Sequence, residues 1–321
     1  MIPTYRPSPA YLRETLEAVL LQDPGPEEMQ LEVIDDCSPD GDVTALVRSI
    51  AGNRVAVTRS VLNRGLAGSW NYCVEHAHGE WIHILHQDDL IFPGFYTELR
   101  KVIADFPSVG AAFCRHCFLD EQSAWVCLSP IEGYRRTLLS DWQFLLTAGT
   151  RIQCPSIVVR RSVYVALGGF RRDIPYCLDW EMWARIAAVY PFGYSPAILA
   201  GHRSHPGSET SRLTKDATGI QDQMRTFQLL EQRLPPDRRD AARLAFTSYI
   251  LPLLLQQAVG CYVNGRFGSA IEMIASVSGL PFPRRERREL GRIVRNSRIK
   301  RWLSAAGLLR QSQDRTQSVI V

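Results

Sequence analysis

Asp88 and Asp89 stand side by side where the short apolar and aromatic run Trp81-Ile82-His83-Ile84-Leu85-His86-Gln87 ends, with Pro93-Gly94 just behind them. A run of that length bounded by turn chemistry reads as a buried strand. Two carboxylates at the C-terminal end of such a strand sit where open α/β sheets bind ligands. Side by side they repel, so they call for a cation. Hard divalent ions such as Mg²⁺ or Mn²⁺ take oxygen ligands, and Mg²⁺ commonly pairs one or two carboxylates with substrate phosphates. The competing account is a solvated Asp-Asp turn that caps the next helix.

Polar groups follow other apolar runs in the same manner. Pro3-Thr4-Tyr5-Arg6 leaves the first, Asp35-Asp36 the second, and the loop from Asn63-Arg64-Gly65 to Asn71 the third. Leu178-Asp179-Trp180-Glu181-Met182-Trp183-Ala184-Arg185 and His202-Arg203-Ser204-His205 come later. Through about residue 200, strand-like and helix-like periods alternate. That pattern predicts an α/β fold with a mostly parallel sheet flanked by helices, which gathers the strand C-termini at one crevice. Asp40 is the expected cap of the helix over 40–50. Strand signals stop near Thr214, so the chain divides into residues 1–213 and a helical C-terminal region, 214–321.

Taken in order, IPTYRPS, VIDDCSPDG, NRGLAGSWN, ILHQDDL, LDWEMWAR and RSHPGS resemble the motifs of the inverting glycosyltransferases of family 2, which have the GT-A fold, over about residues 1–210. The resemblance places Pro3, Thr4 and Tyr5 in the nucleotide pocket and assigns Asp36, with Asp35, to the base or ribose. It sets Asn63, Arg64 and Gly65 along the phosphate side and counts Asn71 among the donor-binding residues. Asp88 and Asp89 would hold the metal that bridges the diphosphate, and His205 would add a ligand to metal or diphosphate. Asp179 would be the general base, and Trp180, Glu181 and Arg185 would lie on the acceptor side. Read as residues alone, Asp35, Asp36 and Asp179 also suit helix caps, Asn63 to Gly65 a plain turn, Trp180 and Trp183 a helix core, and His205 a structural role. Three features depart from the family pattern: the first strand starts late, His86 stands where an Asp is usual, and Leu178 stands where a Glu is usual.

The implied reaction is metal-dependent transfer, with inversion, from a nucleoside-diphosphate-sugar to a hydroxyl of a sugar or lipid-linked acceptor. The implied setting is cytoplasmic, in surface polysaccharide or glycolipid assembly. A nucleotidyltransferase making such donors is the enzymatic alternative, but no Gly-rich, Lys-containing loop follows the first strand. A degenerate sugar-binding scaffold is the other, and carboxylates that cost stability when unpaired speak against it.

Composition is that of a soluble globular protein, 45% apolar and 22% charged. Eight scattered Cys read as reduced thiols, and Cys114-Arg115-His116-Cys117 lacks the second ligand pair that structural zinc requires. No basic-then-apolar leader opens the chain. The longest apolar run, 249–263, is interrupted by Pro252 and Gln256-Gln257, is shorter than the roughly 20 residues that span a bilayer, and predicts a buried helix. Charge is uneven: residues 281–321 carry +8 and the remainder −4. Nine cations from Arg284 to Arg301 are interleaved with Leu290, Ile293, Val294, Trp302 and Leu303. Such a helix either lies on an anionic membrane surface or packs on the body by its apolar stripe. Nucleic acid is not an expected partner, because no recognition motif accompanies the charge.

Overall fold

The computed structural model describes residues 1–305, with side chains to residue 301. Its first half alternates strictly: β1 (Ile2–Thr4), α1 (Pro9–Leu20), β2 (Glu32–Asp35), α2 (Val43–Ala51), β3 (Ala56–Arg59) and α3 (Gly65–His76). Then come β4 (Trp81–Ile82), β5 (Leu90–Ile91), α4 (Phe95–Asp105), β6 (Ala111–Leu119), β7 (Trp125–Leu128), β8 (Thr137–Leu139) and α5 (Gln143–Thr147). After β9 (Ile157–Arg160), α6 (Arg161–Leu167), α7 (Leu178–Ala187) and β10 (Phe192–Arg203), all described elements are helices. These are α8 (Glu209–Leu213), α9 (Thr218–Glu231), α10 (Pro236–Val263), α11 (Phe267–Ser276) and α12 (Arg284–Ala305).

The α/β class holds, but the sheet is mixed rather than mostly parallel. β1, β2 and β3 form a parallel sheet. The second sheet runs β4-β9-β6-β10-β5, with β7 added to β6 and β8 to β10, and only its β6–β10 pair is parallel. Hairpin-like returns produce the antiparallel pairs, and periodicity alone does not distinguish them from crossovers. The segment after β4 is stitched to the first sheet, because Leu85 N donates to Met1 O at 3.1 Å. That contact brings the residues preceding Asp88 beside the end of β1.

α2 is capped by Asp42, whose carboxylate accepts from Ala45 N, not by Asp40 as expected. β6 is buried at almost every position, and burial pushes the Cys114 thiol up to about 12 and Cys117 to about 11. Both therefore remain neutral packing groups, and all eight Cys are free.

α10 carries Ala242, Phe246, Ile250, Leu254, Ala258 and Cys261 as a buried stripe at helical spacing. Phe246 stacks on Phe227 of α9 at 4.1 Å and on Trp180 of α7 at 6.0 Å. Each such buried side chain contributes roughly 1.5–3 kcal/mol. The helices after residue 213 thus share one apolar cluster with the body that carries α7. α10 is long and apolar enough by length and composition to cross a membrane, yet a third of that window is buried in this core. α12 turns Leu290, Ile293 and Ser297 inward and most of its cations outward. Its apolar stripe is therefore spent on the body, the second of the two alternatives that the sequence left open. Trp302 and Leu303 lie outside the described side chains.

Candidate active site

Backbone hydrogen bonds lock the strand ends together first. Asp36 N donates to Thr4 O at 2.8 Å, and the Gln87 amide pairs with both Tyr5 N and Tyr5 O at 2.9 and 3.0 Å. The loops after β1, β2 and β4 therefore form one rim. Pro3 and Thr4 are buried beneath it, and Tyr5 stands 41% exposed on it.

Asp35 and Asp36 do different work. Asp35 is buried, with one oxygen accepting from Ser38 N and the other held by Arg59 at 2.6 Å. Each of its oxygens is engaged within the loop, which it thereby helps to build. Asp36 accepts from Arg64 N at 2.8 Å, its carbonyl accepts from Asn63 Nδ2, and Asn63 Oδ1 accepts from Gly65 N. Burial raises the Asp36 carboxyl above its ordinary value, with Arg64 and Gly65 opposing. Gly65 opens α3 at φ +70°, a conformation that side chains disfavour. Arg64 lies 4.2 Å over the Tyr72 ring.

Asn71 is engaged by backbone. Its amide donates to Phe170 O at 2.9 Å and accepts from Phe170 N at 2.7 Å. An amide bonded to backbone through both its oxygen and its nitrogen pins the loop before α7.

The acidic centre is layered. Asp88 is the more accessible carboxylate, and its Oδ2 lies 2.8 Å from His205 Nε2. Asp89 lies behind it, 1% exposed, accepting from Arg203 N at 2.9 Å between His86 Nδ1 at 3.2 Å and His202 Nδ1 at 3.3 Å. Burial works to raise Asp89, but His202 and His86 outweigh it and hold the carboxyl below the usual range. Burial likewise works to lower His202, and Asp89 outweighs it, so His202 is raised. His86 stacks on Trp70 at 4.7 Å. Arg203, 1% exposed, then binds the whole arrangement: it donates to Asp88 O, Ser123 Oγ and the Glu14 carboxylate at 2.6–2.7 Å and lies over Tyr11.

Asp179 lies in the first turn of α7, one residue inside the helix, whose N-cap is Cys177. Its only described hydrogen bond is to Trp180 N, at 2.7 Å. Burial raises its carboxyl above the ordinary range, while the charges of nearby His86 and His202 pull it down. The half-buried Asp179 thus lies within electrostatic reach of the same imidazoles that flank Asp89.

The residues after it do not face an acceptor. Trp180 is 1% exposed, against Phe246 and Tyr249. Glu181 is equally buried and ion-paired with Arg185 at 2.8 Å and Arg233 at 3.5 Å. Arg185 also donates to the carbonyls of Leu167, Gly168 and Gly169. The acceptor-side reading of Trp180, Glu181 and Arg185 is corrected accordingly: α7 points only its first turn at the crevice, and the rest anchors it. His202, Glu14 and the full reach of Arg203 lay beyond the sequence reading, because their partners are distant along the chain. The one signal was the position of His202-Arg203 immediately before Ser204-His205.

The residues present fit a divalent metal. Ligand atoms of His86, Asp88 and Asp89 lie within 4.8 Å of one another, and His86 Nε2 is buried without a hydrogen-bond partner among the described residues. Mixed imidazole and carboxylate donors suit first-row divalent ions.

Residues 1–166 match the model of glycosyl transferase family 2. The chain belongs to that family. This family 2 glycosyltransferase is 27% identical over 271 residues to an uncharacterized protein, MT1568, of Mycobacterium tuberculosis, covering 80% of this chain and 83% of that one. Its fold resembles S. aureus TarS 1-349 in complex with UDP-GlcNAc, with TM-score 0.63, 15% identity and coverage of 95% and 90%. It also resembles the mannosyltransferase PcManGT from Pyrobaculum calidifontis in complex with GDP-Man and Mn²⁺, with TM-score 0.56, 18% identity and coverage of 96% and 84%. Both likenesses identify the GT-A architecture. The nucleotidyltransferase alternative finds no support in these matches.

Proposed function

We propose that this glycosyltransferase is metal-dependent and inverting, and that it moves a sugar from a nucleoside-diphosphate-sugar to a hydroxyl of a sugar or lipid-linked acceptor. One observation carries the reading: Asp88, paired with His205, has its ligand atom within 4.8 Å of those of His86 and Asp89, and the burial-raised Asp179 feels the charges of His86 and His202. Asp88 and His205 would hold Mg²⁺ or Mn²⁺, with His86 and Asp89 close behind; when bound, the cation supplies charge neutralisation at the leaving diphosphate. The neighbour solved with GDP-Man and Mn²⁺ supports this assignment. Asp36, Tyr5 and the Asn63–Gly65 turn would line the nucleoside and phosphate side.

Asp179 would take the proton from the acceptor hydroxyl as its oxygen bonds to the anomeric carbon and the sugar–diphosphate bond breaks. Attack opposite the leaving group inverts the anomeric centre. Residues 1–213 would form the catalytic unit, with α9 and α10 of the helical region after it buttressing α7 from behind. Surface polysaccharide or glycolipid assembly on the cytoplasmic side of a membrane is the setting this reading implies.

Calorimetric titration of UDP- and GDP-sugars tests the proposal. Donor binding that requires Mn²⁺ or Mg²⁺ and is lost in Asp88→Asn is the expected result. Equal affinity in EDTA would refute the metal assignment.

A further inference from the structure

α10, α11 and α12 meet at one corner remote in sequence from the catalytic motifs. Lys300 of α12 places its Nζ 4.5 Å over the ring of Tyr262 in α10 and 5.9 Å over that of Phe267 in α11. Around this contact Val259, Val263 and Ile299 are 46%, 75% and 52% exposed. The opposite side of α10 is the buried stripe already described, so its outward side has no partner among the described residues. Cations surround these apolar tips. Arg266 and Arg301 line a cleft of about 510 Å³ at the same corner, whose one lining carboxylate is Glu272. Arg288, Arg292, Arg295 and Ile299 follow at helical spacing on one exposed face of α12. Among the described residues, none of the nine basic side chains of α12 is ion-paired with a carboxylate.

We propose that this corner docks the enzyme on an anionic lipid bilayer. Val259, Val263 and Ile299 enter the boundary between headgroups and acyl chains, and the surrounding Arg and Lys side chains engage the lipid phosphates. The membrane-facing apolar groups come from the end of α10 and from Ile299, because the inward stripe of α12 is committed to the core. A second copy is a poor occupant, since it would bring unneutralised cations against one another. An anionic surface removes that repulsion and takes up the apolar tips. Each cation near such a surface strengthens binding by about fivefold, so a handful suffices. The inference stands independently of the roles given to Asp88 and Asp179.

Vesicle flotation of the full chain is the test, using phosphatidylcholine with and without phosphatidylglycerol. Binding is expected only with the anionic lipid and should fall as salt rises. R292E/R295E should weaken it by roughly 30-fold or more, from two lost cations and two added charges. Val263→Asp should weaken it by about tenfold or more through the lost apolar contact. These side chains are exposed, so melting temperatures should match the parent's, and a matched variant that binds undiminished overturns the proposal. So does equal binding to neutral and anionic vesicles, or none to either. A dimer that Val263→Asp dissolves, without vesicle binding, would assign the corner to a second copy instead.

Discussion

Replacing Asp179 with Asn separates catalysis from architecture at the position where the two readings differ most. The side chain makes one described hydrogen bond, accepting from Trp180 N at 2.7 Å, and an Asn oxygen can accept the same bond. The helix should therefore keep its first turn. The proton acceptor is lost, and transfer should fall by the roughly 10²–10⁴-fold typical of general acid–base catalysis, or about 3–5 kcal/mol of activation free energy. Stability should move the other way. Burial raises the carboxyl, so ionising it in the folded protein carries a cost. That cost is absent below the unfolded value of about 4, grows as pH rises, and is full above the raised folded value. At neutral pH the Asn protein should then melt no lower than the parent. The same raised value predicts that kcat/KM of the parent falls on the acid side at a pH above the ordinary carboxylate range. The assay pairs nucleoside-diphosphate release with donor affinity and a melting curve. Near-parental turnover with intact donor binding would refute the base assignment, and Glu181 could not inherit the role, since Arg185 and Arg233 hold it in the core.

Glu181→Gln should act on stability instead of chemistry: losing charge-assisted hydrogen bonds to partly exposed arginines costs about 1.5–3 kcal/mol, read as a lowered denaturation midpoint with donor affinity retained. Asn71→Ala strands the N–H and C=O of Phe170 and should destabilise by roughly 1–3 kcal/mol, with the Asn63–Gly65 side of donor binding intact; selective loss of nucleotide affinity at parental stability would restore Asn71 to the pocket. His205→Ala should weaken Mn²⁺ binding, followed by electron paramagnetic resonance, while Asp89→Ala should lower the melting temperature as well, because it leaves Arg203 N and two imidazoles without their acceptor. A melting temperature unchanged in Asp89→Ala would contradict its placement as a buried keystone.

Much of this enzyme is written locally. The order of strand, loop and helix through residue 200, the carboxylates at strand ends, and the switch to helix after about 213 all follow from period and turn chemistry over a few residues. So does the choice of candidate groups: Asp88, Asp179 and His205 stand out by their motifs alone. The tertiary structure decided which group does which task. Asp35 and Asp36 are neighbours of one type, yet Arg59 and Ser38 consume the first, and the second stays beside the Asn63–Gly65 turn. Asp88 and Asp89 are also alike in sequence, and only the arrival of His202 and Arg203 from β10 makes one a buried anchor and leaves the other facing the crevice. Trp180 and Glu181 adjoin a candidate base, but α9 and α10 close over them. Whether strands pair parallel or antiparallel was likewise settled by which distant segment came alongside. In each case the deciding contact comes from a partner remote in sequence, which no local pattern encodes.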